Sequence, residues 1–351
     1  MPGKPSGGDM ADVDYLMTCR RVRGDAFDAS TGPVRFLKVP AAATTAIPAH
    51  AIAVAQWVDE VIRIADQDPN PHSISPAGDI LAFIHGYNND LPTVLWRQRR
   101  LAADLQAAGW RGLVIGFDWP SGDETLAYLE DRSRAADVAI ELVRKCVAII
   151  ARGQEQGCVT NIHLLGHSTG AYVIMEAFAQ AEKDGDLFKS DWRIGQVAFI
   201  SGDVASSSLS ATESWSQPMF RRIMRLTNYS NGFDAVLGVS NAKRLGVAPR
   251  AGRVGLPADA PPKATNVDCS DYFESKDAHN AVFAPGANYS HSWQIGDPVF
   301  AADLALTVEG AIDRATIPTR TTKDGKLILQ AGSRPAFQSV HASKPPMRVS
   351  P

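Results

Sequence analysis

Residues 161–170, Asn161-Ile-His-Leu-Leu-Gly166-His167-Ser168-Thr169-Gly170, constrain this chain more than any other stretch. An apolar run ends in a G-x-S-x-G turn, and a helix-forming run, Ala171-Tyr-Val-Ile-Met-Glu-Ala-Phe-Ala, follows at once. A buried strand, a sharp turn with a central Ser and a helix read together as a nucleophile elbow. The spacing has a steric cause. The Ser must adopt a strained backbone conformation for its hydroxyl to project from the sheet edge. The residues two before and two after it then crowd each other, so only Gly166 and Gly170 fit. The helix that follows aims the positive end of its dipole at the site.

Around the elbow the pattern is regular. Ile80–Ile84 and Gly112–Trp119 are apolar runs suited to buried parallel strands. Pro92–Gly109 and Thr125–Arg152 read as helices between and after them. Beyond the elbow, Ile194–Asp203, Met219–Asn228 and Ala264–Cys269 predict further strands, and Val299–Ile312 an amphipathic helix. Upstream, residues 12–23 and 34–39 predict two short strands, and His50–Asp66 a helix. A polar, Pro-containing loop is expected over 67–78. The Gly-, Pro- and Arg-rich stretch 246–264 reads as a long solvated loop, with a cap over acidic substrate groups as the alternative. Thr322–Leu329 predicts a hairpin about Asp324-Gly325. Alternating strands and helices predict an α/β architecture, a doubly wound, mostly parallel sheet.

Composition removes several function classes. A net charge of -3 over 351 residues gives no basic footprint for nucleic acid. No apolar run approaches the roughly 20 residues needed to span a bilayer. The N-terminal residues lack the apolar core of a secretory signal. The four cysteines, Cys19, Cys146, Cys158 and Cys269, show no C-x-x-C pairing, so neither a zinc site nor a disulfide framework is expected, and the reading is a reducing, cytoplasmic compartment. No metal or cofactor is expected, and no oligomeric state is legible.

A serine hydroxyl needs a base to take its proton and an acid to orient that base. Where an elbow carries the Ser, the chain order is Ser, acid, His. His279, His291 and His341 follow Ser168. His291 lies between Tyr289 and Trp293, just before the closing helix, and is favoured over His279 in its polar run. Asp234, after the strand ending near Asn228, is favoured as the acid over Asp203, a helix cap or site-wall residue, and over Asp271 and Asp277. The oxyanion hole needs two donors. One is the N–H of Thr169. The other is the N–H of Tyr87, in the His85-Gly86-Tyr87-Asn88-Asn89 stretch that ends a buried strand. His85, Asn88, Trp119 and His167 are candidate substrate contacts, with a core position the alternative for Trp119 and a strand-end hydrogen bond that for His85.

Phe83-Ile-His-Gly-Tyr-Asn-Asn89, Phe117-Asp-Trp-Pro-Ser121, Tyr128-Leu-Glu-Asp-Arg132 and Leu165-Gly-His-Ser-Thr-Gly170 together resemble the bacterial alpha/beta hydrolases long catalogued as a domain of unknown function. The resemblance runs from about Asp79 to about Gly310. It implies an alpha/beta-hydrolase fold with the acid at Asp234 and the base at His291. Thr169 departs from the family, where Met is usual, but leaves the backbone donor intact. The domain reading is a disordered leader over 1–11, the hydrolase domain over 12–314, and a basic, Pro-rich tail over 315–351. The expected activity is hydrolysis of a small-molecule carboxylic ester through an acyl-serine. An amidase or peptidase with the same triad, or a silent hydrolase fold used for binding, are the alternatives.

Overall fold

The fold is described from a computed structural model over residues 13–67, 79–121, 138–142, 160–183, 189, 191–242, 248–276 and 281–335. Its centre is Asp79–Ile84 (β4), six residues that are all buried. Ile80, Ala82 and Ile84 face one apolar cluster, and Leu81 and Phe83 face another. A strand buried on both faces is apolar along its length, which is why the five residues after Asp79 show no alternation.

Eleven strands form one sheet in the order β10-β11-β9-β8-β7-β6-β4-β5-β1-β2-β3. Its strands are Val13–Arg23 (β1), Ala26–Pro40 (β2), Ala51–Ile52 (β3), β4, Leu113–Asp118 (β5), Asn161–His167 (β6), Ile194–Ile200 (β7), Ile223–Ser230 (β8), Ala264–Asp268 (β9), Arg320–Lys323 (β10) and Lys326–Leu329 (β11). From β11 to β1 every pairing is parallel; β2, β3 and β10 add antiparallel edges. Helices Val54–Gln67 (α1) and Thr169–Lys183 (α3) cover one face through Trp57, Val61, Ile174 and Phe178. Helices Leu91–Ala107 (α2) and, further on, Pro298–Glu309 (α9) cover the other through Leu101, Leu105, Phe300 and Leu304. Each of these latter two helices starts on an Asp cap with Pro in its first turn: Asp90 accepts from Thr93 N at 2.9 Å, and Asp297 from Phe300 N at 2.8 Å.

Three sequence expectations change, and a fourth is extended. The strand expected from Met219 begins only at Ile223, because Gln217–Arg222 forms a helix (α4) with Pro218 in its first turn. The stretch expected as a solvated loop over 246–264 contains a short helix, Ala251–Val254 (α6, after α5, Ala235–Ala242), and its Arg250 is buried. The closing helix α9 is buried almost all round rather than amphipathic. The hairpin about Asp324-Gly325 forms, and it extends the main sheet, with Ile328 paired to Asp268. Asp303 on α9 anchors it: Arg320 donates to Asp303 from Nε at 2.8 Å and from Nη2 at 2.6 Å, with both side chains buried.

The leader 1–11, most of the helix expected over 125–152 with Asp131, Arg132 and Cys146, and also Cys158, Asp277, His279 and His341, lie outside the described residues. Among the described residues no helix is long and apolar enough to cross a membrane.

Candidate active site

The carboxyl ends of the parallel strands gather the chemistry, as open α/β sheets do. Ser168 follows β6 at once, with a φ of +54°, a region that non-glycine residues rarely occupy. Three backbone hydrogen bonds hold it there: Ser168 N to Ile200 O at 3.1 Å, Ala171 N to Ser168 O at 3.1 Å, and Asp203 N to Ser168 O at 3.0 Å. Both elbow glycines are crowded, though by other backbone rather than by each other: a Cβ on Gly170 would lie 2.1 Å from the carbonyl oxygen of Ile84, and one on Gly166 2.8 Å from Ala171 N. Thr169 opens α3, so its N–H has no acceptor within that helix.

Asp234 is fully buried after β8, and its Oδ2 lies 2.8 Å from His291 Nδ1. A carboxylate only accepts, so the ring proton sits on Nδ1 and Nε2 is left able to take a proton. Asp234 Oδ1 also accepts from Leu237 N at 2.9 Å in the first turn of α5, and Arg253 on α6 donates to the Asp234 carbonyl. His291 lies on a short helix, Tyr289–Ser292 (α8, following α7, Ser270–Glu274). Ser290 ties that helix to the start of α5, accepting from Ala235 N at 3.1 Å. Among the described residues no hydrogen bond joins Ser168 Oγ to His291.

The loop after β4 is built around its peptide bonds. The amide of Trp119 donates to His85 Nε2 at 3.1 Å, so the proton of that ring sits on Nδ1, 2.8 Å from the Gly86 carbonyl. Asn89 Nδ2 donates to the carbonyls of Gly86 at 3.0 Å and Tyr87 at 2.8 Å. Among the described residues no peptide bond is cis, so with the Gly86 carbonyl turned inward the N–H of Tyr87 points the opposite way. Beneath the loop, Asp118 is held by Arg20 Nε at 2.9 Å and Thr18 Oγ1 at 2.5 Å. Burial alone would raise the Asp118 carboxyl, but the Arg20 guanidinium beside it holds it below the usual carboxylate range. Burial lowers the pKa of His85, which agrees with its neutral tautomer.

A cavity of about 350 Å³ opens over Ser168; Tyr87, Thr169 and Asp203 also line it, and α5 supplies a wall. The four residues expected to touch substrate do not line it. His85 and Trp119 are 0% exposed, and their rings stack at 5.6 Å with Trp119 Nε1 bonded to the His85 carbonyl. They carry the loop rather than the ligand. His167 is buried beneath the elbow, and Asn88 is exposed on a left-handed turn with φ +53°. His167 Nδ1 accepts from Arg97 Nη1 at 3.1 Å, and its Nε2 donates to the His291 carbonyl at 3.0 Å.

Three residues were missed by sequence reasoning. Asn89 and Asp118 stand inside the two quoted motifs, which was the available signal. Arg97, 70 residues from His167, gave none. Arg250, expected in solvent, pairs with Asp203 at 3.2 Å beside the cavity. Among the described residues no group of His, Cys, Asp and Glu could hold a metal ion.

The family model that matches residues 67–280 is that of the alpha/beta hydrolases of unknown function (DUF900). No curated protein matches the chain. Among solved structures, a cutinase-like protein from Cryptococcus sp. is 18% identical, with 66% of this chain and 95% of that one covered at a TM-score of 0.32. A lipase from Bacillus licheniformis is 14% identical, with 57% and 84% covered at 0.30.

Proposed function

The chain belongs to the alpha/beta hydrolases of unknown function, and on that footing we propose that it is a serine hydrolase that cleaves carboxylic esters through an acyl-serine. The observation that carries the reading is the 2.8 Å contact between the buried Asp234 carboxylate and His291 Nδ1, in a chain whose Ser168 occupies a strained elbow.

His291 Nε2 takes the Ser168 proton as Oγ attacks the ester carbonyl. The N–H groups of Thr169 and Tyr87 receive the developing oxyanion, each such donor contributing about 2.7–4 kcal/mol to the transition state. The C–O bond to the alcohol breaks, and His291 returns the proton to the departing oxygen. Water, deprotonated by the same imidazole, then releases the acid and restores Ser168. Asp234 keeps the imidazole in the required tautomer and stabilises its cation. The Ser168–His291 contact, which is not yet a hydrogen bond in the structure, is of the kind that forms and tightens when substrate binds.

The test is labelling with a fluorophosphonate probe alongside turnover of p-nitrophenyl esters. Ser168→Ala should abolish both while the far-ultraviolet circular dichroism is unchanged, since losing one hydroxyl removes little packing. Labelling that survives in that variant would sink the assignment.

A further inference from the structure

We propose that the cavity over Ser168 is a channel for an uncharged aliphatic acyl chain, with Val236 and Val239 on helix α5 as the residues that read its length. This rests on the serine-hydrolase reading above.

The channel wall follows from the sequence of α5, Ala-Val-Leu-Gly-Val-Ser-Asn-Ala, which has no charged side chain. Val236 and Val239 stand three residues apart, so they share one helix face. Both line the cavity, yet they are 37% and 56% exposed. Two valines held open to water beside a nucleophile are surface that an apolar ligand would cover favourably. Leu237, buried and lining the same cavity, fixes the helix, and its N–H is bonded to Asp234. The wall is therefore registered to the acid of the site.

Charge narrows the ligand. Among the described lining residues Asp203 is the one ionisable carboxylate, and it is paired with Arg250 at 3.2 Å and accepts from Ser240 Oγ at 3.1 Å. It offers a cationic chain little. No Lys or Arg is among those lining residues, so a chain ending in a carboxylate meets no counter-charge either.

Position decides which half of the ester enters. The cavity is lined by Ser168 and by Tyr87 and Thr169, the proposed oxyanion donors. His291, which must reach the leaving oxygen, is not among its described lining residues. The chain that shares the cavity with the carbonyl is the acyl chain, and the alcohol leaves on the His291 side.

The experiment compares two ester series on the intact protein. With p-nitrophenyl acetate, butyrate and octanoate, kcat/KM should rise about twofold to fourfold per methylene, the gain expected from burying each one wholly or in part. With ethyl, butyl and octyl acetate it should stay flat. A p-nitrophenyl octanoate bearing a terminal carboxylate should be turned over at least tenfold more slowly than the plain octanoate. Val239→Asp, at an exposed position that tolerates the change, should lower the octanoate-to-acetate ratio of kcat/KM at least tenfold. Flat kinetics along the acyl series with fluorophosphonate labelling of Ser168 intact would overturn the channel and leave the hydrolase. A rise along the alkyl acetates instead would do the same. Loss of labelling would overturn both.

Discussion

Arg97 Nη1 donates to His167 Nδ1 at 3.1 Å, and this one contact fixes the tautomer of the residue next to the nucleophile. A guanidinium can only donate, so the His167 proton sits on Nε2, where it meets the His291 carbonyl at 3.0 Å. Arg97 Nη2 also reaches Ser292 Oγ at 3.3 Å. Burial lowers the Arg97 guanidinium to about 10. His291, the proposed base, is thus held twice, by Asp234 at its ring and by the Arg97–His167 pair at its backbone. Arg97→Met and His167→Phe should each lower kcat tenfold to a hundredfold with KM little changed, the scale of loss for a small misplacement of a catalytic group. The double variant should be no worse than the poorer single one, because both changes break the same link. Additive losses in that cycle would mean that the two residues act separately.

The two aspartates at the strand ends should separate cleanly. Asp234→Asn presents the wrong hydrogen-bonding group to His291, and kcat should fall by about 10⁴, as it does for the corresponding aspartate of a serine protease. Asp203→Asn breaks an ion pair with Arg250 instead and should be felt mainly in thermal unfolding. Steady-state kinetics beside calorimetry on both variants tests this; a reversed ranking of kcat would move the acid to the end of β7.

Gly86→Ala probes how closely the loop after β4 must pack on the elbow. The new Cβ would lie 2.6 Å from Ser168 Cβ and 2.9 Å from the His167 carbonyl oxygen, both too close to persist. The loop and the elbow must part. A loss of at least about a hundredfold in kcat is expected, with destabilisation of about 1–3 kcal/mol in urea unfolding. Near-normal kcat in the variant would show that the Tyr87 amide has no part in the reaction.

Burial, with Arg97 and His291 adding to it, pushes the His167 pKa well below its ordinary range, and burial also lowers His85. Both rings stay neutral in the fold, whereas the unfolded chain takes up their protons as the pH falls below about 6.5. The unfolded state then binds more protons, so this stability is complete above that pH and is lost as the solution is acidified. Each ring contributes a slope of about 1.4 kcal/mol per pH unit. Glu309, raised by burial to about 7 against the pull of Arg334, works in the opposite sense, which is why the variant must be compared with the parent. Urea unfolding from about pH 7 to about pH 5 should give a shallower curve for His167→Gln, by about one such slope; parallel curves would mean that the buried ring is protonated.

Some of this was legible in residue order and some was not. The elbow can be read because G-x-S-x-G is a local steric requirement, and its glycines do meet backbone at van der Waals limits. Asp234 and His291 were nominated from chain order, from the strand, helix and aromatic neighbours beside them and from the family resemblance, and they lie in contact. What failed was orientation. That Trp119 ends a parallel strand does not tell which way its ring turns, and the ring turns into the core against His85. The helix α4 was read as strand because Met219, Phe220 and Ile223 are apolar in a short run, where periodicity does not discriminate; Pro218 was the available warning. Arg20, Arg97 and Arg250 act through partners 98, 70 and 47 residues away, and no spacing rule reaches that far.

The hairpin β10–β11 also bears on how the chain is made. Strand β9 carries an open row of amides and carbonyls until Lys326–Leu329 comes to lie beside it. The ribosome delivers those residues after the elbow, the acid and the base have emerged. A nascent chain that already holds its whole candidate triad therefore still offers a sticky sheet edge, and the carboxylate of Asp303 still lacks Arg320. The outermost strand that finally closes this edge is four residues long and carries the exposed Lys323, the short, charged kind that discourages further strands from adding. Truncation after Gly310 should accordingly yield a protein that aggregates during synthesis, although every residue of the proposed chemistry is present.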